Sequence, residues 1–186
     1  MPSAERVAVF IDNSNLFHNL SDLVKVDPQW VRLYDPLHLA TRLAGDRTLS
    51  YVGFYCTRPP GYLLEDGPEG ERRYSTAMRY YAAVEKLSGV EVKYGTLKGG
   101  RGELQEKNLD TQMATDLVAK GALNEYDTAI VVSNDGDFVS PVEMVKGTFK
   151  KRVEVGFFKG RLSMNLRRVC DLSKRLRRAH IGRLAC

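Results

Sequence analysis

The chain has 186 residues, 28 of them Lys or Arg against 23 Asp or Glu, giving a net charge of +5. Its length suits one domain, spanning residues 1–186, with a single sizeable core, and its apolar and charged fractions match a soluble globular protein. No apolar run approaches the roughly 18 residues of a membrane span, and Cys56, Cys170 and Cys186 show no CxxC spacing, which argues against a membrane protein, a disulfide framework and a zinc site.

The N-terminus enters a strand at once, at residues 7–11 (VAVFI), leaving no room for a signal peptide. A cytoplasmic location is therefore expected. The strand is short, β-branched and apolar throughout, as a fully buried strand should be. Asp12, Asn13, Ser14 and Asn15 follow it and offer helix N-caps. Residues 36–44 (PLHLATRLA) predict a helix with Pro36 in its first turn and Gly45 as its stop. Residues 49–56 predict a second strand, and the Pro- and Gly-rich stretch 58–70 a long loop. Apolar residues at helical spacing predict a helix over 71–88, and alternation predicts a strand over 90–97. Lys98 to Gly102 reads as a basic hairpin tip returning through ELQEK.

The next predicted helix covers residues 109–121, with Asp110 at its start, where the helix dipole tolerates a carboxylate. Residues 127–133 predict a strand, 137–146 a helix, 152–158 a last strand, and 162–180 one or two basic helices. The basic helical segment is taken to run to about residue 186. Strand and helix alternate along the whole length. That pattern predicts an α/β fold, a mostly parallel sheet covered by helices on both faces.

Three acidic clusters stand out on this frame. Asp12 follows the first strand, Asp110 and Asp116 lie on a helix, and Asp135 and Asp137 follow the fourth strand. In the open α/β order the first strand lies beside the fourth, so Asp12 and Asp135 stand together at the carboxyl edge, where such sheets bind ligands. Gathered carboxylates raise one another's pKa, and a divalent cation relieves the repulsion. The pattern points to an all-oxygen site for Mg²⁺ or Mn²⁺ acting on phosphate. Asp110 and Asp116 are six residues apart, about 240° around a helix, so they cannot point the same way. One is expected to bind metal and the other to face its surroundings or the substrate. For each Asp alone, a cap or turn role is the commoner explanation.

Taken together, VAVFIDNSNLF, EKNLDTQMATDLV, VVSNDGDFVSPV and the closing VEVGFF and LSMNLRRVCDLS resemble the NYN domain, the LabA-like branch of the PIN nuclease superfamily. The resemblance runs in order from about residue 7 to 173. Asn134 departs from it mildly, since many relatives have Gly there. It implies a PIN-like three-layer α/β/α sandwich and a Mg²⁺- or Mn²⁺-dependent ribonuclease. Carried onto this chain, the metal set is Asp12, Asp110, Asp135 and Asp137, with Asp116 also matching a catalytic motif position. Asn13, Asn15, Lys107, Ser133 and Asn134 match neighbouring polar positions with substrate contact as their implied role. RNA is the implied partner; homodimer pairing stays open.

The acidic edge needs basic groups nearby to hold a polyanion. Lys98 and Arg101 in the hairpin tip are candidates. So are Arg58, Arg72, Arg73 and Arg79. Tyr74, Tyr80 and Tyr81 have the spacing of core residues as well as rings that stack on bases. The C-terminal RRVCDLSKRLRRAH reads either as a nucleic-acid surface or as an amphipathic helix burying Val169, Leu172 and Leu176. His18, His38 and His180 lack metal-pair spacing and read as structural. The alternative to an enzyme is a non-catalytic regulatory or RNA-binding module of the same fold. A haloacid-type phosphatase would need an acid where Ser14 stands, and the glycine-rich motifs of dehydrogenases and phosphate-loop ATPases are missing.

Overall fold

The computed structural model describes residues 4–17, 33–100, 103, 105–157 and 162–184. Its elements, in chain order, are β1 (Arg6–Asp12), α1 (Pro36–Ala44), β2 (Thr48–Cys56), α2 (Gly67–Glu85), β3 (Val90–Tyr94), β4 (Thr96–Lys98), β5 (Gln105–Lys107), α3 (Leu109–Ala122), β6 (Thr128–Val132), α4 (Val139–Gly147), β7 (Arg152–Phe157), α5 (Met164–Val169) and β8 (Leu172–Arg175). A helical segment also begins directly after β1, at residues 13–17. Among the described residues no helix is long and apolar enough to cross a membrane.

Six strands pair in the order β3-β2-β1-β6-β7-β8, every pair parallel. This is the open α/β order expected from the sequence, with β1 at the centre beside the fourth sheet strand. Alternation along β1 divides the core in two. Val7, Val9 and Ile11 pack with α1 and α2 through Leu39, Leu43, Tyr80 and Val84. Ala8 and Phe10 pack with α3, α4 and α5 through Met113, Leu117, Val142 and Leu166. Both faces of the sheet are thus covered, which is why β1 and β6 read as unbroken apolar runs. Burial of each large side chain in these layers contributes roughly 1.5–3 kcal/mol of transfer free energy.

Local chemistry sets the element ends. Asp35 caps α1 by accepting from the His38 N–H at 3.0 Å, and Pro36 fills its first turn. Gly45 ends α1 at φ 65°, in the left-handed region. At Gly53 a Cβ would lie 2.7 Å from Tyr55 Cε2 and 2.8 Å from the Tyr51 hydroxyl. Both tyrosines are held, with their hydroxyls 3.3 Å apart and Tyr55 fully buried. Gly53→Ala is therefore expected to destabilise the fold by about 2 kcal/mol, read as a lower urea midpoint at unchanged slope.

The structure revises four expectations. The stretch 58–70 is not an open loop: Gly61–Glu65 form a 3-10 turn and α2 starts at Gly67 with a proline in its first turn. Pro68 has the φ that a first helical turn needs, so it starts the helix. The strand predicted over 90–97 divides at Gly95. A Cβ there would press to 3.1 Å of the Lys107 carbonyl, so the hairpin return packs directly against this glycine. Thr96 and Lys98 then pair with Lys107 and Gln105 in the expected antiparallel hairpin. Arg101, expected at its tip from the sequence, lies outside the described residues.

The basic C-terminal segment is the largest correction. Its helix stops at Val169, and residues Leu172–Arg175 become β8, paired parallel to β7. Asp171 fixes the change of direction by accepting from the Val153 N–H at 2.8 Å and pairing with Lys146 at 2.8 Å. Pairing with β8 gives the β7 backbone partners that a continued helix would leave unmet. Leu176 is buried as expected, while Leu172 is 39 % exposed. Lastly, the helix predicted over 137–146 begins as a 3-10 turn at Gly136–Phe138, and α4 proper follows. Tyr80 is a core residue, donating its hydroxyl to the Tyr34 carbonyl at 2.8 Å, and is not a base-stacking surface.

Candidate metal site at the carboxyl edge of the sheet

β1 and β6 end side by side, and the site is built where they stop. Strand alternation puts Asp12 on the same face as Ala8 and Phe10, the face covered by α3. The first turn of α3 supplies Asp110, and the 3-10 turn after β6 supplies Asp135 and Asp137. One carboxylate oxygen from each of Asp110, Asp135 and Asp137 lies within 4.8 Å of the other two. Asp110 is distant in sequence from Asp135 and Asp137, and the chain path through α3 and β6 brings it to them.

A chain of hydrogen bonds sets the spacing. The Asp137 N–H donates to Asp135 Oδ1 at 3.0 Å, which folds the turn across Gly136. The Asp135 N–H donates to Ser133 Oγ at 3.1 Å, and Ser133 Oγ donates to Asp12 Oδ2 at 2.9 Å. The Asn15 N–H donates to Asp12 Oδ1 at 3.0 Å, and Asn15 Oδ1 accepts the Asn134 N–H at 3.1 Å. Asn15 therefore ties the end of β1 to the end of β6. Asn13 is buried, and its Oδ1 accepts from the Tyr34 hydroxyl at 3.1 Å.

The electrostatics follow from this crowding. Asp12 is 4 % exposed. Burial pushes its pKa up to about 7, against the two hydrogen bonds that favour its charged form; Asp110 and Glu106 add repulsion. Asp110 keeps an exposed edge, yet desolvation by its surroundings raises its pKa, and the charges of Asp135, Glu106 and Asp137 raise it further. Among the described residues no Lys or Arg pairs with Asp110, Asp135 or Asp137. Three close carboxylates without a cationic partner are a donor set suited to a hard divalent cation such as Mg²⁺ or Mn²⁺.

Not every residue singled out in the sequence joins this group. Asp12 stands beside it, linked through Ser133. Asp116 faces elsewhere, as the helical rotation requires: it accepts from the Tyr55 hydroxyl at 2.8 Å, and Lys93 is 3.8 Å away. Lys98 and Lys107 are exposed on the β4–β5 hairpin. Ser133 and Asn134 are buried at the strand end, and among the described residues Asn134 Oδ1 has no hydrogen-bond partner. Sequence reasoning missed Glu106. Its carboxylate accepts from Ser14 Oγ at 2.6 Å and from Thr57 Oγ1 at 3.0 Å, which clamps the hairpin over the ends of β1 and β2. A Glu inside a short polar strand carries no signal of its own. Only the fold of the hairpin brings it to the site.

The fold and the site define an open parallel α/β domain with an acidic group at its carboxyl edge. The chain belongs to the NYN domain family, whose model matches residues 6–174. It is similar to the low amplitude and bright protein LabA of Synechococcus elongatus, with 22 % identity over 166 residues, covering 89 % of this chain and 81 % of that protein. Its fold is shared with a crystal structure of a protein of unknown function from Vibrio parahaemolyticus, at a TM-score of 0.67 and 17 % identity, covering 98 % of this chain and 99 % of that one.

Proposed function

We propose that this protein is a divalent-metal-dependent nuclease that hydrolyses RNA phosphodiester bonds at the carboxyl edge of its sheet. The observation that carries the reading is the convergence of Asp110, Asp135 and Asp137 within 4.8 Å of one another. Membership of the NYN domain family supports it. Asp110, Asp135 and Asp137 would hold Mg²⁺ or Mn²⁺, with Asp12 as a further carboxylate beside them. A bound cation supplies charge stabilisation on the phosphate and a more acidic water.

The chain's own groups do the rest. Ser133 donates to Asp12 and accepts from the Asp135 N–H, so it orients the Asp12 carboxylate and fixes the backbone that carries Asp135. Asn15 holds the two strand ends at fixed separation. Burial raises the Asp12 pKa to about 7, and a cation held beside it would favour its ionised form. Lys107 and Lys98 supply cations on the hairpin for the phosphate backbone. Asp116 has no place in this chemistry; it anchors Tyr55.

The test is cleavage of labelled single-stranded and structured RNAs and DNAs with Mn²⁺, with Mg²⁺ and with EDTA. Cleavage of RNA is expected with either cation and none with EDTA. The pair Asp135→Asn and Asp137→Asn is expected to lower the rate by more than about 100-fold, beyond the 10- to 100-fold typical of groups that only support metal ligands. RNA binding with no cleavage under either metal would instead assign the domain to a non-catalytic regulatory role.

A further inference from the structure

The acidic edge cannot hold a polyanion by itself, and the structure places an unbalanced set of cations along one side of it. Residues 162–184 contain Arg167, Arg168, Lys174, Arg175, Arg177, Arg178 and Arg183 against a single acid, Asp171. Asp171 is paired with Lys146, and Lys174 is paired with Glu154. Arg167, Arg168, Arg175 and Arg177 are exposed. The β4–β5 hairpin differs, since its lysines alternate with Glu103 and Glu106.

The fold joins this basic side to the site. The Ser163 N–H donates to the Asn134 carbonyl at 3.1 Å, and a Cβ on Gly136 would lie 3.0 Å from Ser163 Oγ. The start of α5 therefore touches the turn that carries Asp135 and Asp137. Met164, next in the chain, is 60 % exposed. Arg167 lies one turn along α5, about 6 Å down its axis. β8 then runs back up the sheet. Arg175 pairs in register with Phe157, one residue beyond the Val132–Gly156 pair, so it stands level with Ser133. Two strand spacings, about 10 Å, separate β8 from β6.

We infer that the outer edge formed by α5 and β8, through Arg167, Arg168, Arg175 and Arg177, is the track for a nucleic-acid phosphodiester backbone leading to the acidic site. This rests on the nuclease reading and names the surface that presents the substrate. The spacing suits a chain that crosses the carboxyl edge with one phosphate at the carboxylates and its neighbours over the arginines. Met164 lies between, an apolar face against which an unpaired base packs. Sequence alone left this segment divided between a buried amphipathic helix and a binding surface. Its turn into an edge strand sends Leu176 inward and leaves the arginines outside.

Binding is measured on the full chain carrying Asp135→Asn, in EDTA, so that no substrate is consumed. Labelled single-stranded RNA and duplex RNA are titrated at several salt concentrations. Replacing Arg167, Arg168, Arg175 and Arg177 with Gln is expected to weaken binding about 10- to 100-fold. It should also reduce the slope of log affinity against log salt by about 2 to 3, at roughly 0.7 per lost phosphate contact on a single strand. Loss on the single strand exceeding loss on the duplex is expected from the place of Met164. The double variant Arg175→Gln and Arg177→Gln is compared with Arg42→Gln and Lys150→Gln, which removes the same charge from the opposite edge of the sheet. An equal effect of the two pairs, or an unchanged salt slope in the fourfold variant, would overturn the track. A single Arg175→Glu variant serves if the fourfold variant does not fold. Active protein whose cleavage ignores these arginines would leave the nuclease standing without the track. Arginine-dependent binding with no cleavage would do the reverse.

Discussion

Asp12→Asn is expected to make the metal-free protein more stable at about pH 8, by roughly 3 kcal/mol, while weakening its response to divalent cations. The side chain is 4 % exposed and sits among other acids. Its folded pKa, about 7, is above its ordinary value of 3.8. A raised carboxyl pKa means that the unfolded chain releases this proton first. The contribution of Asp12 to stability is therefore fully present below about pH 4 and lost as pH rises to about 7. Above that the folded protein carries a buried charge. Asn removes the charge but keeps an oxygen to accept the Asn15 N–H, so its advantage should be greatest above pH 7 and fade toward pH 4.

Urea unfolding in EDTA across that range checks this. Asp127, Asp171 and Glu154 have lowered pKa values, through Arg6 for Asp127 and through Lys and Arg partners outweighing burial for the other two. Their effects fall below about pH 4.5, outside the window where Asp12 titrates. Added Mn²⁺ should reverse the ranking. Cation binding favours the ionised carboxyl, so it should release a proton below about pH 7, and apparent affinity should rise with pH up to that point. A wild-type protein and variant whose stability difference does not change between about pH 5 and pH 8 would show that Asp12 is not the titrating group.

Much of this architecture is legible in the sequence because its strands are buried on both faces. Residues 7–11 and 129–132 are unbroken apolar runs, and the acids that follow them, Asp12 directly and Asp135 three residues on, are conspicuous. The alternation of strand and helix, read with the open α/β strand order, sets the ends of β1 and β6 side by side, and with them Asp12 and Asp135. Asp110 is legible as an acid in a first helical turn. Three features are not. The Gly95 break divides what alternation shows as one strand, since the reason is the close approach of Lys107 and Leu109. β8 looks helical because Val169, Leu172 and Leu176 have helical spacing, while the need of β7 for an edge partner is a tertiary demand. Glu106 reaches the site through the hairpin, a contact that no local pattern encodes.

Glu154→Gln is expected to lower stability by about 3 kcal/mol at neutral pH. Glu154 is 2 % exposed, in the third position of β7. It accepts from Arg47 Nη1 at 2.9 Å and Nη2 at 3.1 Å, and pairs with Lys174 at 2.9 Å. Arg47 also donates to the carbonyls of Leu43 and Ala44 at 3.1 and 2.9 Å, and Lys174 to that of Leu43 at 2.9 Å. One carboxylate thus joins the end of α1, β7 and β8. Burial alone would raise its pKa; Arg47 and Lys174 outweigh that and lower it. Its contribution is present above the ordinary Glu range and lost as pH falls through the lowered folded value, the reverse of Asp12. The variant should therefore melt about 6–12 °C lower at pH 7 and lose most of that deficit in acid. Replacing Glu154, Arg47 and Lys174 together with apolar residues should recover much of the loss, because the cost lies in leaving the two cations without the negative charge that balances them. The network sits on the α1 side of the sheet, away from the acidic cluster. Metal-dependent cleavage by the folded variant should therefore match wild type, and a melting deficit below about 2 °C would refute the role given to this carboxylate.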